Sequence, residues 1–245
     1  MKEQIFVLLI SIFIAFESAA QNSDTTQRTL MFNNKQWIIK TCDSPMGPGS
    51  NLFGLHKKNV YINKNGDLIL SIQAIEKQWS CAEIISAEAV KEGIYEITIN
   101  SNIANLEPNI VFGFFLYNEL NPPFYDEIDI EFSTWNRANN FNTQYTIHQS
   151  DDTKKKTFTI PSNVVKSNHS IALTKDSIFV KSNWLLPNSK LQTIEYSTPR
   201  PPTMNLNAAH LRLNLWINKS DQAPKKTIKI KIANISFAPI HLPTN

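Results

Sequence analysis

Apolar and polar residues alternate along most of this chain, in short segments separated by turn residues. A period of two is typical of β-strands that bury one face and expose the other. The run 110–117 is almost continuously apolar, which indicates a strand buried on both faces. Because we find no long helical period and no internal repeat, the pattern predicts an all-β sandwich of antiparallel sheets. Strands are predicted at 59–62, 68–72, 79–84, 93–99, 110–117, 125–132, 141–149, 156–160, 170–173, 177–181, 193–196, 211–217 and 227–238.

One predicted strand, Tyr125–Phe132, carries a row of acids on one face. Side chains alternate between the two faces of a strand, so Glu127, Asp129 and Glu131 point one way and apolar residues the other. Neighbouring acids are about 6.6 Å apart along the strand, and like charges this close raise at least one pKa. The row is therefore a candidate catalytic device, in which one carboxyl stays ionised and another holds a proton. The alternative is an edge strand with a solvated acidic face.

Length and composition are those of an ordinary globular protein. The 245 residues, 42% of them hydrophobic, are enough for one sizeable domain, which we assign to 35–245. A polar and loose leader is expected to precede it at 21–34. The formal net charge is +3 and no block of Lys and Arg is present, so nucleic acid is not an expected partner.

Residues 1–20 have the pattern of a secretory signal peptide. Lys2 supplies a charged start, 5–16 an apolar core, and small residues at 18–20 a cleavage site before Gln21. The alternative is a membrane anchor, but about a dozen apolar residues fall short of the roughly 20 that a span needs. We therefore expect an exported protein, secreted or periplasmic, with no membrane association after cleavage.

Two cysteines occur in the chain, Cys42 and Cys81. In an exported protein an even pair of cysteines favours a disulfide, and we predict one between these two residues. The alternative is two buried free thiols. Neither cysteine has a second ligand at zinc-finger spacing, so no metal site is expected there.

Several motifs together resemble family 16 glycoside hydrolases, the clan of lichenases, laminarinases and xyloglucan transglycosylases. The string Glu-Ile-Asp-Ile-Glu at 127–131 resembles their active-site strand, and Asn214-Leu215-Trp216 resembles the lichenase strand that faces it. The turn-rich segment 47–53 is similar to a loop near the start of some members. Cys81 matches one lichenase cysteine, whereas Cys42 lies further upstream than the expected partner. The resemblance implies a concanavalin-like jelly roll of two antiparallel sheets with a cleft across the concave one.

The resemblance also implies roles for the three acids. Family members that share this motif cleave with retention, with the first Glu as nucleophile and the last as acid/base. Glu127 and Glu131 would take these roles, and Asp129 would hydrogen-bond one of them. The alternative for Asp129 is a purely structural role.

Aromatic and amide side chains are the candidates for binding sugar, because Trp and Tyr offer flat apolar surfaces with polar tips. Asn51 could instead only shape a turn, and Tyr117 and Trp216 could instead belong to the core. His148 stands where lichenases have Tyr, so the resemblance does not define its subsite. The predicted substrate-binding residues are Asn51, Tyr117, Trp135, Gln144, His148, Asn214 and Trp216.

The expected function is that of a secreted, endo-acting, retaining glycoside hydrolase that cleaves β-glucan with β-1,3 or mixed β-1,3-1,4 linkages. The alternatives are a transglycosylase on the same polysaccharides and a non-catalytic carbohydrate-binding jelly roll. A polysaccharide or oligosaccharide is the expected partner. We expect a monomer, with no cofactor and no metal.

Overall fold

A computed structural model describes residues 27–76, 78–119, 126–137, 141–149, 152–219 and 222–240. The signal peptide expected at 1–20 lies outside these residues. Within them, no helix is long and apolar enough to span a membrane. Regular structure in the described part of the chain is almost entirely β, apart from two short 3₁₀ turns at Lys57–Asn59 and Ile103–Asn105.

The strands match the alternating segments of the sequence closely, and the all-β prediction is confirmed. In chain order they are β1 (Thr29–Phe32), β2 (Lys35–Ile39), β3 (Leu52–Phe53), β4 (Val60–Ile62), β5 (Leu68–Ile75), β6 (Gln78–Ala89), β7 (Gly93–Ile99), β8 (Ile110–Asn118), β9 (Asp126–Phe132), β10 (Thr143–Gln149), β11 (Asp152–Phe158), β12 (Ser167–Leu173), β13 (Ser177–Leu185), β14 (Leu191–Pro199), β15 (His210–Ile217) and β16 (Ile228–Ala238).

These strands form two sheets joined along β5 and β6. One sheet has the order β11-β10-β9-β8-β15-β6, with β2 and β1 beyond β6. The other has the order β5-β16-β7-β12-β13-β14. Pairing between the described strands is antiparallel, except for the short contact of β3 with β6. The result is a jelly-roll sandwich in which β9 lies well inside its sheet, between β8 and β10.

The core between the sheets explains why β9 is apolar on one face. Ile128, Ile130 and Phe132 are fully buried there. Phe132 contacts His169 of the opposite sheet, with 4.7 Å between the ring centroids. His169 is itself fully buried, and its ring nitrogens bond the hydroxyls of Ser182 and Ser167 at 2.7 and 2.8 Å. Burial lowers the pKa of His169 to about 3, so the ring is neutral in the core.

Two expectations from the sequence are corrected by the fold. The leader is not loose as far as residue 34, because Thr29–Phe32 forms β1 against β2 and buries Phe32. The predicted disulfide is also wrong, since Cys42 and Cys81 are both free thiols. The Cys42 sulfur accepts a hydrogen bond from the Phe53 N–H at 3.0 Å, and burial raises the pKa of Cys81 to about 12. A thiol with so high a pKa forms little of the thiolate that disulfide chemistry needs.

Candidate active site

The acid-bearing face of β9 looks away from the core. Asp129 is only 4% exposed, and Glu127 and Glu131 are half-buried. Because β9 is paired on both sides, the alternative of a solvated edge strand is excluded. The three carboxyls therefore lie in the interior of a sheet face, where neighbouring strands can surround them with functional groups.

Strand register aligns the acids with residues on both sides of β9. Each acid belongs to a cross-strand row that runs from β10 across β9 and β8 to β15. The acid row, in contrast, is the set Glu127, Asp129 and Glu131 along β9. The cross-strand rows are His148–Glu127–Tyr117–His210, Thr146–Asp129–Phe115–Arg212 and Gln144–Glu131–Gly113–Asn214. Residues that are far apart in the sequence thus meet at one place on the sheet.

A cleft of about 470 Å³ opens over these rows. All three acids line it, together with four of the residues predicted to bind sugar. Those four are Tyr117, His148, Asn214 and Trp216. Their positions on β8, β10 and β15 place them on both sides of the acids.

Hydrogen bonds connect the acids to β10. Gln144 donates from Nε2 to Glu131 Oε2 at 2.6 Å. His148 Nε2 lies 3.4 Å from Asp129 Oδ2, and its Nδ1 is 3.4 Å from the Thr153 hydroxyl. A carboxyl oxygen of Glu127 lies within 4.8 Å of one of Asp129, close enough for the two groups to influence each other's charge.

Burial and like charge act together on the acids. Burial and the adjacent Asp129 raise the pKa of Glu127 well above its ordinary value. Burial and Glu131 raise the pKa of Asp129 in the same way. Burial also raises the pKa of Glu131, although the hydrogen bond from Gln144 opposes this by favouring the ionised form. The row therefore keeps protons at a pH at which isolated carboxyls would have lost them.

The same region contains the donor atoms of a possible metal site. Glu127, Asp129 and His148 each offer one ligand atom, and these atoms lie within 4.8 Å of one another. Imidazole and carboxylate are ligands that suit zinc and similar ions. The expectation that the protein works without a metal stays a prediction.

No family model matches the chain, and no curated protein matches it. Among solved structures it is similar to a β-glucanase of Bacillus licheniformis, with 16% identity and a TM-score of 0.60 over 88% of this chain and 100% of that one. It is also similar to a family 16 endo-glucanase of Bacteroides ovatus, with 12% identity and a TM-score of 0.65 over 85% and 97% of the two chains.

A third similar structure is a pseudo β-1,3-glucanase of Mycobacterium tuberculosis, with 14% identity and a TM-score of 0.63 over 84% of this chain and 91% of that one. The chain has the fold of the family 16 glycoside hydrolases. The concanavalin-like jelly roll expected from the Glu-Ile-Asp-Ile-Glu motif is therefore confirmed, and the low identities extend the finding no further than the fold.

Within this family 16 fold, three predicted binding residues are not among the described residues that line the cleft, namely Asn51, Trp135 and Gln144. Gln144 instead supports Glu131 through its hydrogen bond from β10. Asn51 is 3% exposed, and its amide donates to the carbonyls of Pro48 and Ile217 at 2.9 and 2.8 Å. It shapes the loop whose Pro48 lines the cleft, so its prediction as a contact residue is corrected to a supporting one. Trp135 lies in the turn after β9 with its ring 6.0 Å from that of Phe141, and it is not among the described residues that line the cleft.

The family 16 fold also brings in charged residues that the sequence analysis missed. Arg212, only 5% exposed, pairs with Glu83 at 3.2 Å and with Glu119 at 2.8 Å. Its guanidinium lies 4.9 Å from the centre of the Tyr117 ring. Lys40 completes the network through the second Glu83 oxygen at 2.9 Å. The signal for Arg212 was present, because it shares a strand face with Asn214 and Trp216.

Proposed function

We propose that the protein is an exported, endo-acting glycoside hydrolase that cleaves β-glucan with retention of configuration. One observation supports this most strongly, namely the complete row of Glu127, Asp129 and Glu131 on a central strand that lines a cleft. Glycosidic cleavage needs a carboxyl that delivers a proton and a carboxylate that attacks the sugar. A buried row of like charges supplies both states side by side.

In the proposed mechanism, Glu131 protonates the departing oxygen while Glu127 attacks the anomeric carbon. Glu131 then removes a proton from the water that hydrolyses the glycosyl-enzyme. Gln144 holds one oxygen of Glu131, so the other oxygen is free to face the substrate. These roles follow the resemblance of the motif to family 16 active-site strands.

Asp129 makes the attack by Glu127 compatible with the high pKa of that carboxyl in the empty cleft. Burial and the charge of Glu131 raise the pKa of Asp129 as well, although the interaction with Glu127 opposes this. Asp129 can therefore accept a proton from Glu127 and leave Glu127 with the negative charge. We propose that this proton transfer prepares the nucleophile.

The proposed substrate rests on the cleft residues outside the acid row. Trp216 and Tyr117 are half-buried and offer aromatic faces, and Asn214 offers an amide. Sugar sites combine such apolar surfaces with a few polar groups. The two solved structures described as glucanases favour a β-glucan as substrate. The resemblance of the motifs to lichenases and laminarinases is what implies β-1,3 or mixed linkages.

A non-catalytic carbohydrate-binding role is the second candidate, because one similar structure is described as a pseudo β-1,3-glucanase. Transglycosylation would use the same residues with a sugar as acceptor. The test is incubation of purified protein with laminarin, lichenan, xyloglucan, agar and carrageenan, followed by product analysis. New reducing ends indicate hydrolysis, longer chains indicate transglycosylation, and binding without products would contradict the proposed activity.

Export is proposed from the sequence pattern of residues 1–20. Mass spectrometry of protein recovered from outside the cytoplasm should show a chain that begins at Gln21. Recovery of the intact chain with Met1 in the membrane fraction would contradict this proposal.

A further inference from the structure

Gly113 occupies an unusual position in the cleft. It lies in the middle of β8, on a strand face whose other positions carry Val111, Phe115 and Tyr117, the last two in the lining of the cleft. Glycine weakens the interior of a strand, and it is often found there when another group approaches the backbone closely. The absence of a side chain at position 113 therefore indicates that another group approaches the backbone there.

The approaching group is the amide of Asn214. A Cβ atom added at Gly113 would lie 2.6 Å from Asn214 Oδ1, well inside van der Waals contact. It would also lie 3.5 Å from Phe115 Cδ1, which is an ordinary contact. The conflict is thus specific to Asn214, and an alanine at position 113 would displace the end of that side chain.

The side chain of Asn214 lies close to the surface of the sheet beside Gly113. Its side chain is 6% exposed, and Oδ1 is buried without a hydrogen-bond partner among the described residues. A buried polar atom that lacks a partner is costly and uncommon, so its arrangement needs a compensating reason. Asn214 lines the cleft and belongs to the same row as Glu131, with Gly113 between them.

We propose that Gly113 is a positioning residue, which keeps the Asn214 amide on the floor of the cleft so that a sugar ring can lie over the gap between Asn214 and Glu131. This inference rests on the proposed function of the cleft. Because glycine has no side chain, position 113 then determines how deeply the sugar enters the cleft. Gly113 acts through Asn214 and takes no part in the chemistry.

A double-mutant cycle tests this coupling. In the wild-type background, Gly113→Ala should raise KM for laminarin or lichenan oligosaccharides about five- to tenfold, which corresponds to one neutral hydrogen bond. The same substitution in an Asn214→Ala background should change KM less than about twofold, since the displaced group is gone. Between the wild type and Gly113→Ala, kcat should change less than KM.

Gly66→Ala is the control for the loss of a glycine outside the cleft lining, because its added methyl group meets no atom within 4 Å; its φ of +85° should cost stability and leave KM unchanged. Melting temperatures of all variants establish that they are folded. An equal effect of Gly113→Ala in both backgrounds would overturn the inference, because it would show that Asn214 does not transmit the change.

Affinity gel electrophoresis on the same glucans separates this inference from the proposed function. If the wild type binds glucan without cleaving it, the proposed activity fails, and the cycle of binding constants still decides the role of Gly113. If the wild type cleaves glucan and the cycle shows no coupling, only the inference about Gly113 fails. If the wild type neither binds nor cleaves any glucan, both are wrong.

Discussion

Two charged regions face the same cleft, and they are built in opposite ways. On β9, Glu127, Asp129 and Glu131 stand side by side, and burial with like charge raises their pKa values. On β6 and β15, Glu83 and Arg212 neutralise each other in a buried pair at 3.2 Å, and Lys40 and Glu119 extend it. The raised pKa values allow the first region to hold and transfer protons. In the second region, pairing keeps each side chain in its charged form.

The difference between the two regions predicts which charges serve activity and which serve the stability of the fold. Removing one member of a like-charged row relieves repulsion, so the fold should tolerate it while activity is lost. Removing one member of a buried pair leaves an uncompensated charge, so the fold should suffer. The same chemical change, Glu to Gln, can therefore be made in both regions with opposite expected outcomes.

The largest expected effect is on activity in the acid row. Glu131→Gln should lower cleavage of polysaccharide by about 10²–10⁴-fold, which is typical of the loss of a general acid. Its melting temperature should be equal to or higher than that of the wild type, because a like charge is gone. Reducing-end assays and thermal unfolding check this, and an unstable Glu131→Gln protein would remove the contrast between the regions.

Low pH should destabilise the core beneath β9. The pKa of His169 is lowered from 6.5 to about 3, so between these values the unfolded chain binds a proton that the native state does not. The stability from neutral His169 is complete above pH 6.5 and falls by about 5 kcal/mol as the pH drops to 3. The buried acids oppose this trend, because their raised pKa values make the native state bind more protons as the pH falls.

Comparison with a variant isolates the contribution of His169. Denaturant unfolding from pH 7 to pH 3 should show that His169→Gln loses less stability than the wild type over this range. Equal slopes for the two proteins would mean that His169 is not neutral in the native core.

A smaller loss of stability is expected in the paired region. Glu83→Gln should destabilise the fold by about 3 kcal/mol, because Arg212 is left buried with only the exposed Glu119 as a partner. Adding Arg212→Met should recover part of this loss, since the buried guanidinium is then gone and only the more exposed Lys40 lacks its carboxylate partner. Denaturant unfolding of the single and double variants checks it, and a fully stable Glu83→Gln protein would contradict the distinction between the regions.

The smallest expected effect concerns recognition beside the acids. Trp216→Ala should weaken oligosaccharide binding by about 1–2 kcal/mol, the scale of a lost aromatic contact, with little change in melting temperature. Titration calorimetry on a Glu131→Gln background measures binding without turnover. A large fall in melting temperature with unchanged affinity would assign Trp216 to the core.

Local pattern was enough to predict most strands and the acid row. Alternation at 126–132 directs the acids to one face and the apolar residues to the core, and the structure shows this arrangement. The paired region was missed because its members are distant in sequence, with 43 residues from Lys40 to Glu83 and 129 from Glu83 to Arg212. Only strand register brings them together, and the period of a strand does not encode register.

The remaining corrections have the same origin. Asn51 was predicted in the cleft from its loop motif, but its amide bonds the carbonyl of Ile217, which lies 166 residues away. Two cysteines in a chain with a signal-like start favoured a disulfide, but packing turned the Cys42 sulfur to the Phe53 N–H. In each case a tertiary contact determined the side chain's partner.

The most direct test of the central claim uses an aryl glycoside with an acidic phenol as leaving group. Such a phenol departs without protonation, so its release needs the nucleophile and not the general acid. Glu127→Ala should release no phenol, whereas Glu131→Ala should give a burst of phenol followed by slow turnover, as the glycosyl-enzyme forms and waits for its missing base. A burst from Glu127→Ala and none from Glu131→Ala would reverse the roles, and full activity in both variants would contradict a catalytic role for the acid row.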